Sequence, residues 1–138
     1  MIKTFEAYNN HYKTLRRNQI FDKIENAKIG DILPESDIYN YIEYLHEQDD
    51  FTEGDIAKRI EEFSKYQLRI VPIDKIDIYE FGLDEDVAKN YSEMYNQTNK
   101  YPPIVLSDTY RIIDGNHRTN ALNDLGIKTI KAFVGMNF

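Results

Sequence analysis

The side chains that best suit phosphate chemistry lie in one stretch of six residues, Asp114-Gly115-Asn116-His117-Arg118-Thr119. An apolar, strand-like run precedes the stretch and a helix-like run follows it, so the glycine marks a turn directly before a helix. The first N–H groups of a helix have no acceptor within the helix and point toward any anion placed there. Arg118 can donate two parallel hydrogen bonds to phosphate oxygens, and His117 can donate one more. The sequence therefore predicts a phosphate cradle at the start of this helix.

The same residues also allow a structural interpretation, which stays open on physical grounds alone. Asn116 or Thr119 could cap the helix, and Asp114 could form the turn, orient Arg118 or hold Mg²⁺ through water. If the cradle exists, Arg118→Ala lowers nucleotide affinity by about 10-fold to 100-fold and leaves folding nearly unchanged. If Arg118 is instead a structural ion-pair partner, its loss lowers stability.

Four segments of the chain stand in a characteristic order: Val71-Pro72-Ile73-Asp74-Lys75-Ile76, Pro103-Ile104-Val105-Leu106, Ile113-Asp114-Gly115-Asn116-His117-Arg118 and Leu125-Gly126-Ile127-Lys128-Thr129-Ile130. Through these segments, residues 70–138 resemble the ParB/sulfiredoxin-like superfamily. The resemblance implies an α+β fold with a small mixed sheet and packed helices. It also implies a bound nucleotide (ATP, ADP or CTP), often with Mg²⁺, whose phosphates contact the glycine turn and the helix that carries His-Arg.

The site residues distinguish among the branches of this superfamily. Sulfiredoxins have a nucleophilic cysteine where this chain has Asn116, and the chain contains no cysteine. The chromosome-partitioning branch has a motif richer in arginine and a following helix-turn-helix domain, for which the sequence has no room after Phe138. The free-serine kinases look closer, because they combine Asp-Gly-x-His-Arg with an acidic residue shortly after the first Pro-Ile box. This resemblance implies that Glu80 and His117 are catalytic, although Glu80 could also be an ordinary exposed acid.

Composition and charge limit the classes of function. A chain of 138 residues with 41% apolar and 30% charged residues suits one globular domain, or one domain with a short extension. The formal net charge of −7 argues against non-specific attraction to nucleic acid or anionic membrane. The sequence has neither a long apolar run nor the order of a signal peptide, which predicts a cytoplasmic protein without membrane contact.

The elements that must position the cradle follow from the hydrophobic spacing. In residues 1–65 the pattern predicts a helical N-terminal extension of three packing helices, with a break at Gly30 and Leu33-Pro34. Its second helix carries several tyrosines, which predicts packing in the core and at its rim.

Residues 66–138 predict the ParB/sulfiredoxin-like domain, in the order strand, helix, strand, strand, helix, strand. This order describes an α+β domain with a mixed sheet. The first of its helices begins near Asp84, and Gly126 ends the second, which is the helix of the cradle.

Three functions remain open from the sequence. The first is a nucleotide-binding enzyme, a Mg²⁺-dependent kinase or nucleotide hydrolase, in which Glu80 takes a proton from an acceptor hydroxyl or water. The second is a non-catalytic module, encoded by a phage or mobile element, that binds a host protein through the N-terminal helices. The third is a DNA nuclease. It is the weakest, because the chain lacks a basic stripe, and nucleic acid is not an expected partner.

Overall fold

The computed structural model describes residues 5–45, 53–78 and 84–137. Within these ranges the helices are α1 (Phe5–Asn26), α2 (Glu35–Leu45), α3 (Glu53–Glu61), α4 (Glu85–Thr98) and α5 (Asn116–Asp124). The strands are β1 (Ile32–Pro34), β2 (Lys65–Pro72), β3 (Ile104–Leu106), β4 (Ile112–Asp114) and β5 (Thr129–Met136). A single 3₁₀ turn, Ile73–Lys75, follows β2.

The strands form one mixed sheet in the order β1-β2-β5-β3-β4. Strand β5 pairs antiparallel with β2 over eight residues, from Lys65 opposite Met136 to Pro72 opposite Thr129. On its other side β5 runs parallel to β3, which forms an antiparallel pair with β4. The prediction of an α+β fold with a small mixed sheet and packed helices is confirmed.

The sheet has a hydrophobic core on each face. The face toward α1–α3 contributes Tyr66, Leu68, Val105, Ile113 and Phe133 to one cluster. The opposite face contributes Val71, Ile104, Leu106, Ile112, Ile130, Ala132 and Val134, which pack with Leu122 of α5. Burial on both faces explains why β3, all of whose residues are buried, is a continuous apolar run rather than an alternating one. Residues on both sides of the division predicted at residue 65 therefore pack together in the core between the sheet and α1–α3.

Most of the predicted elements around the candidate site are confirmed. Asp84 is the N-cap of α4, and its side chain accepts hydrogen bonds from the backbone of Asp86 and Val87. Gly126 follows α5 with φ +80°, a conformation that favours glycine after a helix. The order of elements from β2 to β5 is the predicted one.

Strand β1 is the element that the sequence analysis missed. The residues Leu33-Pro34 were predicted to be only a break between helices, whereas they form an edge strand paired with β2. An edge position is compatible with proline, because one side of the strand has no neighbour that needs its N–H. In the described part of the chain, no helix is both long and apolar enough to cross a membrane.

Candidate phosphate-binding site

Gly115 forms the turn that connects β4 to α5. Its backbone has φ +116° and ψ 21°, in the region that side chains other than glycine rarely adopt. A Cβ atom at this position would also overlap the side chain of Ile104 on the neighbouring strand. Both constraints require glycine, so the strand enters the helix through a turn of fixed shape.

The first turn of α5 presents backbone N–H groups rather than a side-chain cap. No side-chain cap is found at Gly115, and the first hydrogen bond of the helix runs from the N–H of Thr119 to the carbonyl of Gly115 at 2.9 Å. The N–H groups of residues 116–118 therefore have no acceptor within the helix. They carry the positive end of the helix dipole, which favours a negative ligand.

This turn borders a groove of about 360 Å³ between the starts of α4 and α5. The groove is lined by Asp84, Val87 and Tyr91 of the α4 side, by Ile112 and Ile113 of β4, and by the five residues Asp114, Gly115, Asn116, His117 and Arg118. Five of the residues predicted to bind the nucleotide thus come together at one groove. The sixth, Thr119, is fully buried, and its hydroxyl donates to the carbonyl of Gly115 at 2.8 Å.

Arg118 is directed into the protein and is only 1% exposed. Its Nη2 donates to Oδ2 of Asp114 at 2.5 Å, which forms a buried ion pair across one turn. Its Nη1 donates to the carbonyl oxygens of Pro102 and Pro103 at 3.0 and 2.9 Å. The guanidinium also lies 5.7 Å from the ring centre of Tyr91. Both terminal nitrogens of Arg118 are therefore engaged by protein acceptors, and its contact with phosphate stays a prediction.

Tyr41 of α2 reaches the same guanidinium from the N-terminal part of the chain. Its hydroxyl donates to the carbonyl of Pro103 at 2.5 Å and accepts from Nη1 of Arg118 at 3.2 Å. Burial raises the pKa of Tyr41 well above its ordinary value, and the nearby Arg118 offsets this only in part. The hydroxyl therefore keeps its proton and remains a donor. The tyrosines of this helix were expected to pack in the core and at its rim, and the contact of Tyr41 with Arg118 was not predicted.

His117 connects the starts of α4 and α5. Its Nε2 accepts a hydrogen bond of 2.8 Å from the backbone N–H of Asp84. In a neutral imidazole whose Nε2 is an acceptor, the proton is on Nδ1, which can donate to a ligand. Asn116 is held in a similar way, since its carbonyl and its Oδ1 accept from Nδ2 of Asn120 at 2.8 and 3.2 Å.

The remaining predicted groups are Glu80 and Mg²⁺. Glu80 lies outside the described residues, so its catalytic role stays a prediction. The Asp114 carboxylate is nearly buried and paired with Arg118, which makes it a poor ligand for a cation. The part of the chain that the structure describes contains no cluster of three or more histidine or acidic side chains suited to a metal. Binding of Mg²⁺ therefore stays a prediction.

For Arg118 the structure predicts a loss of stability, where the cradle hypothesis predicted little effect on folding. Arg118→Met removes the cation that is paired with the buried Asp114 carboxylate, so we expect the free energy of unfolding in urea to fall by about 3–5 kcal/mol. The double variant Asp114→Asn/Arg118→Met removes that charge and recovers part of the loss.

Arg111→Met is the matched control, because Arg111 is exposed. We expect it to change the free energy of unfolding by no more than about 0.5 kcal/mol. An Arg118→Met variant as stable as this control would contradict the structural role of the ion pair.

Comparisons with known proteins show similarity of fold only. No protein-family model and no curated protein matches the chain. Among solved structures, it is similar to the C2221 form of a Pnob8-like ParB-N domain, with 20% identity over 53% of this chain and 30% of the other, and a TM-score of 0.42. It is similar to sulfiredoxin from Arabidopsis thaliana, with 23% identity over 52% of this chain and 86% of the other, and a TM-score of 0.46.

A second structure of a pNOB8-like ParB N-domain is similar with 22% identity, over 50% of this chain and 27% of the other, and a TM-score of 0.36. The chain thus spans less than a third of the length of the two ParB chains. In each case the similarity covers about half of this chain. At these identities the similarity is one of fold.

Proposed function

We propose that this chain binds the phosphate groups of a nucleotide in the groove between α4 and α5 and acts as a phosphotransferase or nucleotide hydrolase. The observation that carries the proposal is the first turn of α5, where the N–H groups of residues 116–118 have no acceptor within the helix and Gly115 provides no side-chain cap. Such a turn is a ready site for an anion. The groove beside it has room for a polar ligand.

The donors for phosphate are backbone groups rather than the arginine. The Asp114–Arg118 pair has no net charge, and Arg118 already donates to several protein oxygens. Its contribution is to hold the turn in place. The N–H groups of α5 and Nδ1 of His117 then provide hydrogen bonds in a fixed arrangement, so that little ordering is needed when a ligand binds.

For the reaction, we propose that Glu80 is the proton acceptor. Nδ1 of His117 donates a hydrogen bond to the transferred phosphoryl group. A base that takes the proton of an acceptor hydroxyl or of water makes the oxygen a better nucleophile. A hydrogen-bond donor beside the phosphoryl oxygens stabilises the negative charge that these oxygens carry in the transition state. The residues Ile78 and Asp84, on either side of the segment that contains Glu80, line neighbouring grooves.

Asn116→Asp tests phosphate binding without removing the helix. An acid in the first turn of a helix is compatible with its dipole, but its charge repels a phosphate placed there. We expect calorimetric titrations with ATP, ADP and CTP, each with and without Mg²⁺, to show an affinity at least about tenfold lower than that of the wild type.

Asn123→Asp is the control for this substitution, because it adds the same charge near the other end of α5. It should bind nucleotide as the wild type does. The proposal fails if the wild type releases no heat with any of the three nucleotides, or if the two variants lose affinity equally.

Glu80→Gln separates the chemistry from binding. It keeps the shape of the side chain and removes the base, so we expect turnover to fall by about 10²-fold to 10⁴-fold while nucleotide affinity stays within about threefold. Glu93→Gln, at an exposed position of α4, is the control and should retain full turnover. Unchanged turnover in Glu80→Gln would show that Glu80 is not the base.

A further inference from the structure

A second and larger groove adjoins the candidate site. It has a volume of about 570 Å³, and Ile112 and Ile113 line both grooves, so the two meet along β4. The polar residues of the second groove are Arg59, Glu62, Asp77, Ser107 and Arg111. Arg59 and Glu62 come from α3 and the residue that follows it, in the half of the chain outside the region of resemblance.

The two arginines of this groove differ from Arg118 in their contacts. Arg59 and Arg111 are exposed, and neither side chain has an ion pair with an acid of the described residues. A guanidinium in that state keeps its five N–H donors for a ligand. Its planar fork matches the two oxygens of a carboxylate or a phosphate. Of the three arginines that line the two grooves, Arg59 and Arg111 therefore have N–H donors available for a ligand.

The loop before β4 holds Arg111 at the edge of the groove. Oγ of Ser107 accepts from the backbone N–H groups of Thr109 and Arg111 at 3.3 and 3.1 Å, and the N–H of Ser107 donates to the carbonyl of Arg111 at 2.9 Å. Tyr110 has φ +64°, which costs free energy and persists only where its surroundings hold it. The backbone of Arg111 is therefore held in a tight, hydrogen-bonded turn.

The charges of the groove restrict the kind of ligand. Two carboxylates, those of Glu62 and Asp77, face the same space as the two guanidiniums, so the charges of the lining balance. A polyanion such as nucleic acid gains little from such a surface. A small molecule with one oxyanion group can instead contact the arginines, while its hydroxyl or other donor groups contact the carboxylates.

We propose that Arg59 and Arg111 form a second oxyanion site, which binds the carboxylate or phosphate group of a small second reactant. The inference rests on the proposed function, because the second reactant must lie beside the bound nucleotide on the shared surface of Ile112 and Ile113. It adds to that function the chemical class of the second reactant and a role for α3, which forms one wall of its site.

The test uses the full chain, labelled with ¹⁵N and titrated separately with inorganic phosphate and with acetate. We expect at least one probe to shift the amide signals of residues 107–112. In the double variant Arg59→Gln/Arg111→Gln, the same probe should bind at least about tenfold more weakly, since charge-assisted hydrogen bonds are lost. Arg69→Gln is the matched control, because Nε of Arg69 bonds to Gln67 on β2 and lies outside this groove.

The two probes identify the source of the oxyanion, since acetate reports a carboxylate and inorganic phosphate a phosphoryl group. The inference is overturned if neither probe shifts residues 107–112, or if the double variant and Arg69→Gln bind the probe equally well. A titration with ATP, followed at residues 116 and 117, tests the proposed function separately. If ATP shifts those residues while both probes leave residues 107–112 unchanged, the inference fails and the proposed function stands.

Discussion

The buried ion pair between Asp114 and Arg118 is the interaction on which the candidate site depends. It joins the end of β4 to the first turn of α5 with a distance of 2.5 Å, across the glycine turn that presents the N–H groups. Burial by itself would lower the pKa of Arg118, but the neighbouring Asp114 carboxylate, together with Tyr41 and Tyr91, outweighs this and raises it overall. The arginine therefore stays charged and paired. A buried pair of this kind is costly to break, because the remaining partner keeps its charge in a buried place without the opposite charge of the other.

The same pair makes the N-terminal helices part of the site. Tyr41 on α2 and the carbonyl oxygens of Pro102 and Pro103 satisfy the rest of the guanidinium, so α2 and the chain before β3 are fixed against α5. The N-terminal helices also share a core with Phe133 of the central strand. One buried side chain thus connects the N-terminal helices to the first turn of α5, at the border of the groove.

Local patterns in the sequence predicted much of this fold. Features that depend on contacts between distant residues could not be predicted from the sequence. Three features depend on only a few adjacent residues, and all three are found where expected: the N-cap at Asp84, the glycine turn at Gly115 and the helix end at Gly126. Strand β1 was missed because three residues ending in proline have no periodicity of their own, and their pairing with β2 depends on residues about 30 positions later.

The orientation of Arg118 was open for a related reason. An Asp and an Arg four residues apart are compatible both with an exposed phosphate ligand and with a buried ion pair. The choice depends on acceptors elsewhere in the chain, and the contact with Tyr41 spans 77 residues. The second groove also depends on distant parts of the chain, since Arg59 of α3 and Arg111 before β4 line the same groove only in the folded chain.

A crystal structure of the chain with a bound nucleotide tests the central claim most directly. We expect phosphate oxygens at about 2.7–3.2 Å from the backbone nitrogens of residues 116 and 117, with the Asp114–Arg118 ion pair intact. A structure in which Arg118 has left Asp114 to contact the phosphate, or in which the nucleotide lies away from the first turn of α5, would contradict it.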